Sequence, residues 1–164
     1  MMAVQEQTST LVSSARDSFK LLTIKVSNVL ACIDLTHVER TFSLVEVKAM
    51  PGSAPYVAGI LNYAGSSLPV IDLAIRLGLP SSSYHLDTPI MVCTLEEKSI
   101  GVIVQDIVGV ESVDIQEFQL ADELSGFGSA FTASIHTEPG LALLLNVSWL
   151  IHSDLYLTAG SAGN

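Results

Sequence analysis

The feature that most limits how this chain folds is a rhythm. Short apolar runs rich in Val, Ile, Leu and Thr recur along it, each closed by a turn signal. Residues 19–26, Phe-Lys-Leu-Leu-Thr-Ile-Lys-Val, alternate as a strand with one wet face does. Ser27-Asn28 reads as a turn and residues 29–33 as the return strand of a hairpin. Further strands are expected at residues 45–50, 57–62, 67–71, 90–95, 99–104, 107–113, 133–136 and 141–145. Glu96-Glu97-Lys98 and Glu138-Pro139-Gly140 read as hairpin loops. Many short strands at close spacing argue for an all-β barrel or sandwich.

Helices enter only as short turns. Three apolar runs end in Asp or Asn, a residue that caps the free N–H groups of a first helical turn. Asp34 leads into a turn at residues 36–40 and Asn146 into one at 147–151. Asp72 leads into residues 74–77, with Gly78 as the C-terminal stop and Pro80 beyond it.

Composition narrows the function. The chain has 164 residues, which suits one domain, and its residues are 49% hydrophobic but only 15% charged. So apolar and sparsely charged a chain is expected to leave apolar surface for a partner. Seven Lys and Arg stand against seventeen Asp and Glu, for a net charge of -10. The cations are scattered and form no basic stripe, which makes nucleic acid and anionic membrane surfaces poor partners. Basic or neutral protein surfaces fit better. Cys32 and Cys93 lie inside apolar runs and read as buried thiols. The first residues lack the apolar core of a signal peptide, and no run approaches the ~20 apolar residues of a membrane span. A cytoplasmic protein is expected, with flexible tails at residues 1–16 and 154–164 around a domain at 17–153.

Catalytic patterns are missing. There is no Cys-x-x-Cys, His-Glu-x-x-His, Gly-x-Ser-x-Gly or Walker loop. His37, His85, His136 and His152 have no ligand spacing, and Glu96-Glu97 reads as a solvated turn. Trp149 reads as a core anchor. No enzyme activity, metal or cofactor is expected.

Residues 51–80 carry the most information. They run Pro-Gly-Ser-Ala-Pro-Tyr-Val-Ala-Gly-Ile-Leu-Asn-Tyr-Ala-Gly-Ser-Ser-Leu-Pro-Val-Ile-Asp-Leu, and after Ala74-Ile75 continue Arg-Leu-Gly-Leu-Pro. Pro51-Gly52 opens a constrained turn. Gly59 within a strand signals a bulge or a close backbone approach. Gly65 follows a tight turn at Ala64 and requires positive φ, which glycine adopts at little cost. This segment closely resembles the CheW family of bacterial chemosensory coupling proteins. With the two barrels that the resemblance implies, Val57, Ile60, Leu68, Val70 and Ile71 are expected inside the first, and Val102 and Val104 inside the second. Val38-Glu39 fits the family's short upstream helix, residues 100–104 its "vGllVD" strand, and residues 141–150 its closing stretch.

The resemblance implies two five-stranded SH3-like β-barrels packed around a shared apolar core. It also implies a non-catalytic adaptor, in the cytoplasm beside membrane receptor arrays. Such an adaptor joins chemoreceptor tips to the regulatory domain of a CheA-type histidine kinase. By the same resemblance, receptor tips meet a groove between the barrels lined by Val38, Glu39, Gly59, Asn62, Ala64, Leu68 and Val70. Gly52, Gly65, Asp72 and Gly78 serve as structural turns. Two positions depart from the family. Ala64 stands where the family has Arg, which removes the partner expected for Glu39, and Gln105 stands where it has Asp, with Asp106 next. These departures suggest an accessory or dedicated-pathway adaptor. The alternatives are a small-molecule-binding β-barrel, or a CheW-like module of another two-component pathway.

Overall fold

A computed structural model describes residues 18–120, 128–152 and 154–155. Among the described residues eleven strands make two sheets. In chain order they are β1 Ser18–Val26, β2 Val29–Asp34, β3 Val38–Ser43, β4 Val57–Tyr63, β5 Ser66–Asp72 and β6 Pro89–Leu95. Then follow β7 Lys98–Ile103, β8 Asp106–Asp114, β9 Gln119–Leu120, β10 Phe131–Thr137 and β11 Gly140–Leu145. Helix α1 is Leu73–Arg76 and α2 is Val147–Ile151. The six-stranded sheet runs β8-β1-β2-β11-β10-β9, and the five-stranded sheet runs β3-β6-β7-β5-β4. This is the expected all-β, SH3-like pair of units. The sixth strand is the two-residue β9, which the sequence pattern did not signal.

The middle of the chain builds the five-stranded sheet, and the two ends build the other. Each sheet is completed by one parallel pair: Val70, Ile71 and Asp72 beside Gly101, Val102 and Ile103, and Leu143-Leu144 beside Ala31-Cys32. Three apolar clusters follow from strand alternation. Leu68, Val70, Ile90, Val92 and Ile103 fill the interior of the five-stranded unit. Leu21, Cys32, Val113, Ile135 and Ala142 fill that of the other. The opposite faces of the same strands meet in a larger shared core, with Leu22, Ile24 and Ile33 from one sheet and Ile71, Met91 and Val102 from the other. Adjacent residues such as Val70 and Ile71 are therefore both buried, each in a different core.

The caps form as expected. Asp34 accepts from the Thr36 N–H, Asp72 from Ile75 and Asn146 from Trp149. Helices α1 and α2 place Leu73, Ala74, Val147, Leu150 and Ile151 in the shared core. Between them the Arg76 guanidinium lies 4.0 Å from the centre of the Trp149 ring and 4.8 Å from that of Tyr56.

Four expectations need correction. The turn after Asp34 stops at His37, and Val38-Glu39 lies on a strand. A single capped turn holds little stability, and Val38, Thr41 and Phe42 pair with β6 instead. Residues 45–50 form no strand. They follow that misplaced one, pair with the sheet where Lys48 meets Ile60, and pack Val47 against the interior of the five-stranded unit. Leu61, not Ile60, points inward, because a register shift between Val57 and Gly59 reverses which residues face the interior. Finally, Val102 and Val104 do not belong to a second barrel. Strand β7 sits beside β5, and both valines lie in or against the shared core, as do Val57 and Ile71, which were expected inside the first barrel.

Residues 1–16 lie outside the described residues. Within the stretch 154–164, Leu155 is described. It packs on the shared core, and its carbonyl accepts the Ala54 N–H at 3.0 Å.

Candidate partner-binding face

Strands β3 and β4 are the two edges of the five-stranded sheet, and side chains bring them together. The Tyr63 hydroxyl, at the end of β4, donates to Glu39 Oε2 on β3 at 3.0 Å. The Tyr63 ring stacks on Phe42 of β3, with centroids 6.2 Å apart and planes 15° apart. Glu39 therefore keeps a partner even though Ala64 replaces the expected cation. The Tyr63 hydroxyl is held above its ordinary pKa, first by desolvation, then by its hydrogen bond to Glu39 and by that carboxylate's charge, with Arg40 opposing. It stays a donor across the physiological range. Tyr63, Phe42 and Arg40 were not singled out from sequence. Tyr63 lay within the informative segment, but its pairing depends on the sheet curling until its edges meet.

Ala64 and Gly65 form the two-residue turn between β4 and β5, with φ of 51° and 81°. Two successive positive φ values are those of a type I′ hairpin, which matches strand twist. This turn presents Ala64 to solvent beside the Glu39–Tyr63 pair.

Gly59 is buried under the segment that precedes β4. A Cβ built on it would lie 2.2 Å from the Lys48 carbonyl oxygen, and its φ is +148°. The close approach allows Lys48 and Ile60 to exchange backbone hydrogen bonds, both 2.8 Å long. That bridge forms a groove of about 750 Å³, lined by Lys48, Met50, Ile60, Asn62 and Ser67 among others. Asn62 is exposed there.

The expected binding residues thus separate into two groups. Glu39, Asn62 and Ala64 are exposed, and Val38 is half-buried against the shared core. Leu68 and Val70 are 3% and 0% exposed, so they shape the surface from beneath and do not line a groove. Gly59 acts likewise, by admitting the Lys48 backbone. The turn residues are where they were expected: Gly52 and Gly78 also lie at positive φ, and Asp72 caps α1. Asp72 does more than cap. It is 3% exposed and also accepts hydrogen bonds from Ser81 Oγ and the Tyr84 hydroxyl.

Neither buried thiol is poised for chemistry. Burial pushes the Cys93 thiol up to about 12, and burial with the Glu111 charge does the same for Cys32. Among the described residues no helix is long and apolar enough to cross a membrane.

Comparison with known proteins agrees with the fold and extends it. The chemotaxis protein CheW of Thermotoga maritima is 21% identical over 140 residues, which is 85% of this chain and 92% of that one. The chemotaxis protein CheW of Bacillus subtilis is 30% identical over 104 residues, covering 63% of this chain and 67% of that one. The crystal structure of the scaffolding protein TtCheW from Thermoanaerobacter tengcongensis superposes with a TM-score of 0.76 at 20% identity, over 83% of this chain and 94% of that one. The CheW-like domain model matches residues 20–155, from β1 through α2. This chain belongs to the CheW-like domain family.

Proposed function

We propose that the chain is a non-catalytic adaptor that couples chemoreceptors to a CheA-type histidine kinase in a cytoplasmic chemotaxis array. The observation that carries this reading is the family match at residues 20–155, which takes in both sheets. Receptor tips meet the edge where β3 and β4 join, through Glu39, Asn62 and the Ala64 turn. Leu68, Val70 and Gly59 hold that edge in shape. With Ala64 in place of Arg, the edge presents no cation from the hairpin turn to an acidic receptor residue.

Titration of a labelled receptor-tip fragment and of the kinase regulatory domain against the full chain tests the proposal. Both are expected to bind, and binding of neither would refute the adaptor role. Glu39→Ala is expected to weaken the receptor fragment a few-fold, on the order of 1 kcal/mol or less for an exposed charge. Ala64→Arg is expected to strengthen receptors with a facing carboxylate by a similar or smaller factor, since Tyr63 already occupies Glu39. Identical affinities for wild type and both variants would move the receptor site to another face.

A further inference from the structure

The turn at residues 85–88 holds a large apolar side chain out into water. Leu86 is 90% exposed at its tip, flanked by Val45 at 50% and Tyr84 at 45%. Together with Leu44 and Asp87 they border an open groove of about 750 Å³. Scattered apolar side chains are ordinary on protein surfaces, but contiguous ones mark contact sites.

The turn is braced on both sides. The Thr88 hydroxyl accepts the His85 N–H at 2.6 Å, and the Thr88 N–H donates back to the His85 carbonyl at 3.1 Å. The Thr88 carbonyl accepts the Leu44 N–H at 2.7 Å, which ties the turn to the end of β3. On the other side the Tyr84 hydroxyl is anchored on the buried Asp72 carboxylate, and Ser81 Oγ donates to the same oxygen at 2.8 Å. Burial and this hydrogen bond raise the Tyr84 pKa, so the anchor stays protonated. Pre-ordering of this kind lowers the entropy lost on binding.

The charge of the surroundings selects the occupant. Asp87 borders the groove, no Lys or Arg does among the described residues, and the whole chain carries a net charge of -10. An anionic membrane, a nucleic acid or a second copy of this chain would each bring like charge to it. We infer that the braced turn and its groove dock an apolar protein segment flanked by Lys or Arg, with Leu86 as the central contact. This surface is separate from the edge formed by Glu39, Tyr63 and Ala64, and the inference does not rest on the adaptor role.

Two synthetic peptides with the same leucine-rich apolar core, one flanked by Lys and one by Glu, test it against the full chain, with binding mapped by backbone amide NMR. The Lys peptide is expected to shift amides at residues 44–45 and 84–88, and the Glu peptide to leave them in place. Leu86→Ser changes an exposed side chain and should melt as wild type does, while weakening the Lys peptide roughly fivefold or more. Tyr84→Phe keeps the apolar surface but releases the anchor, and is expected to weaken the peptide by a smaller factor. Equal affinity of wild type and Leu86→Ser for the Lys peptide, or shifts confined to another face, would overturn the proposal. So would self-association of the chain, or binding to phosphatidylglycerol vesicles, that Leu86→Ser abolishes.

Discussion

The two sheets reach similar architectures by different routes. The five-stranded sheet comes from one continuous stretch, β3 to β7, and three of its four pairings are antiparallel. The six-stranded sheet is assembled from both ends of the domain, with β2 beside β11 across more than a hundred residues. The first therefore closes two tight hairpins and two middle-range pairings, while the second must wait for the rest of the chain. Yet neither is independent. The outer faces of β5, β6 and β7 are as apolar as their inner faces, and the other sheet and the two helices cover them. A continuous chain segment thus need not be a separately stable domain.

The sharpest break in this comparison is Gly59→Ala. Its Cβ would sit on the Lys48 carbonyl oxygen, a backbone atom that moves only if the Lys48–Ile60 bridge opens. We expect a loss of about 3–5 kcal/mol in denaturant unfolding, with the edge at Asn62 disordered in NMR spectra. Ile71→Ala comes next, at roughly 2–5 kcal/mol, because it empties the shared core. It should lower both sheets in one transition, as should Leu22→Ala from the opposite side. Separate transitions for the two sheets, followed by site-specific hydrogen exchange, would show them to be independent units.

Thr23 sharpens the comparison from the six-stranded side. It is 1% exposed, and its hydroxyl has no hydrogen-bond partner among the described residues. Thr23→Val keeps the shape and removes the orphan group, so it should stabilise the protein by about 1 kcal/mol in urea unfolding. Ala64→Asn acts at the other sheet's hairpin. Ala64 sits at positive φ, where Asn is better tolerated, and a gain of about 0.5 kcal/mol is expected.

Alkaline pH probes one thiol in each environment. Cys32 lies in the interior of the six-stranded unit and Cys93 in the shared core. Both pKa values rise from 9.0 to about 12 on folding. A group raised on folding contributes its stabilisation below the unfolded value and loses it as pH climbs toward the folded one. Stability should therefore fall between about pH 9 and 12, and both thiols should stay unreactive to a disulfide reagent in the native protein at pH 8. Rapid labelling of either would contradict its burial.

Much of this was legible in the residues. The β1–β2 hairpin, the caps Asp34, Asp72 and Asn146, and the special roles of Gly59 and Gly65 were all visible beforehand. Apart from the Lys48 backbone that approaches Gly59, each depends on atoms within a few residues of itself, and alternation, capping and φ are local properties. The resemblance at residues 51–80 supplied the family and its expected double unit.

Tertiary structure decided the rest. Strands with both faces buried lose the alternation that would tell one face from the other, so nothing local placed Val102 beside Ile71 or separated the destinations of Val70 and Ile71. The bulge before Gly59 reversed the facing of Ile60 and Leu61, which depends on how Lys48 approaches. Glu39 found Tyr63 only because the sheet curls until β3 meets β4. Sequence thus set the pieces and their turns, and packing set which piece faces which, because partners distant in sequence are chosen by the burial they share.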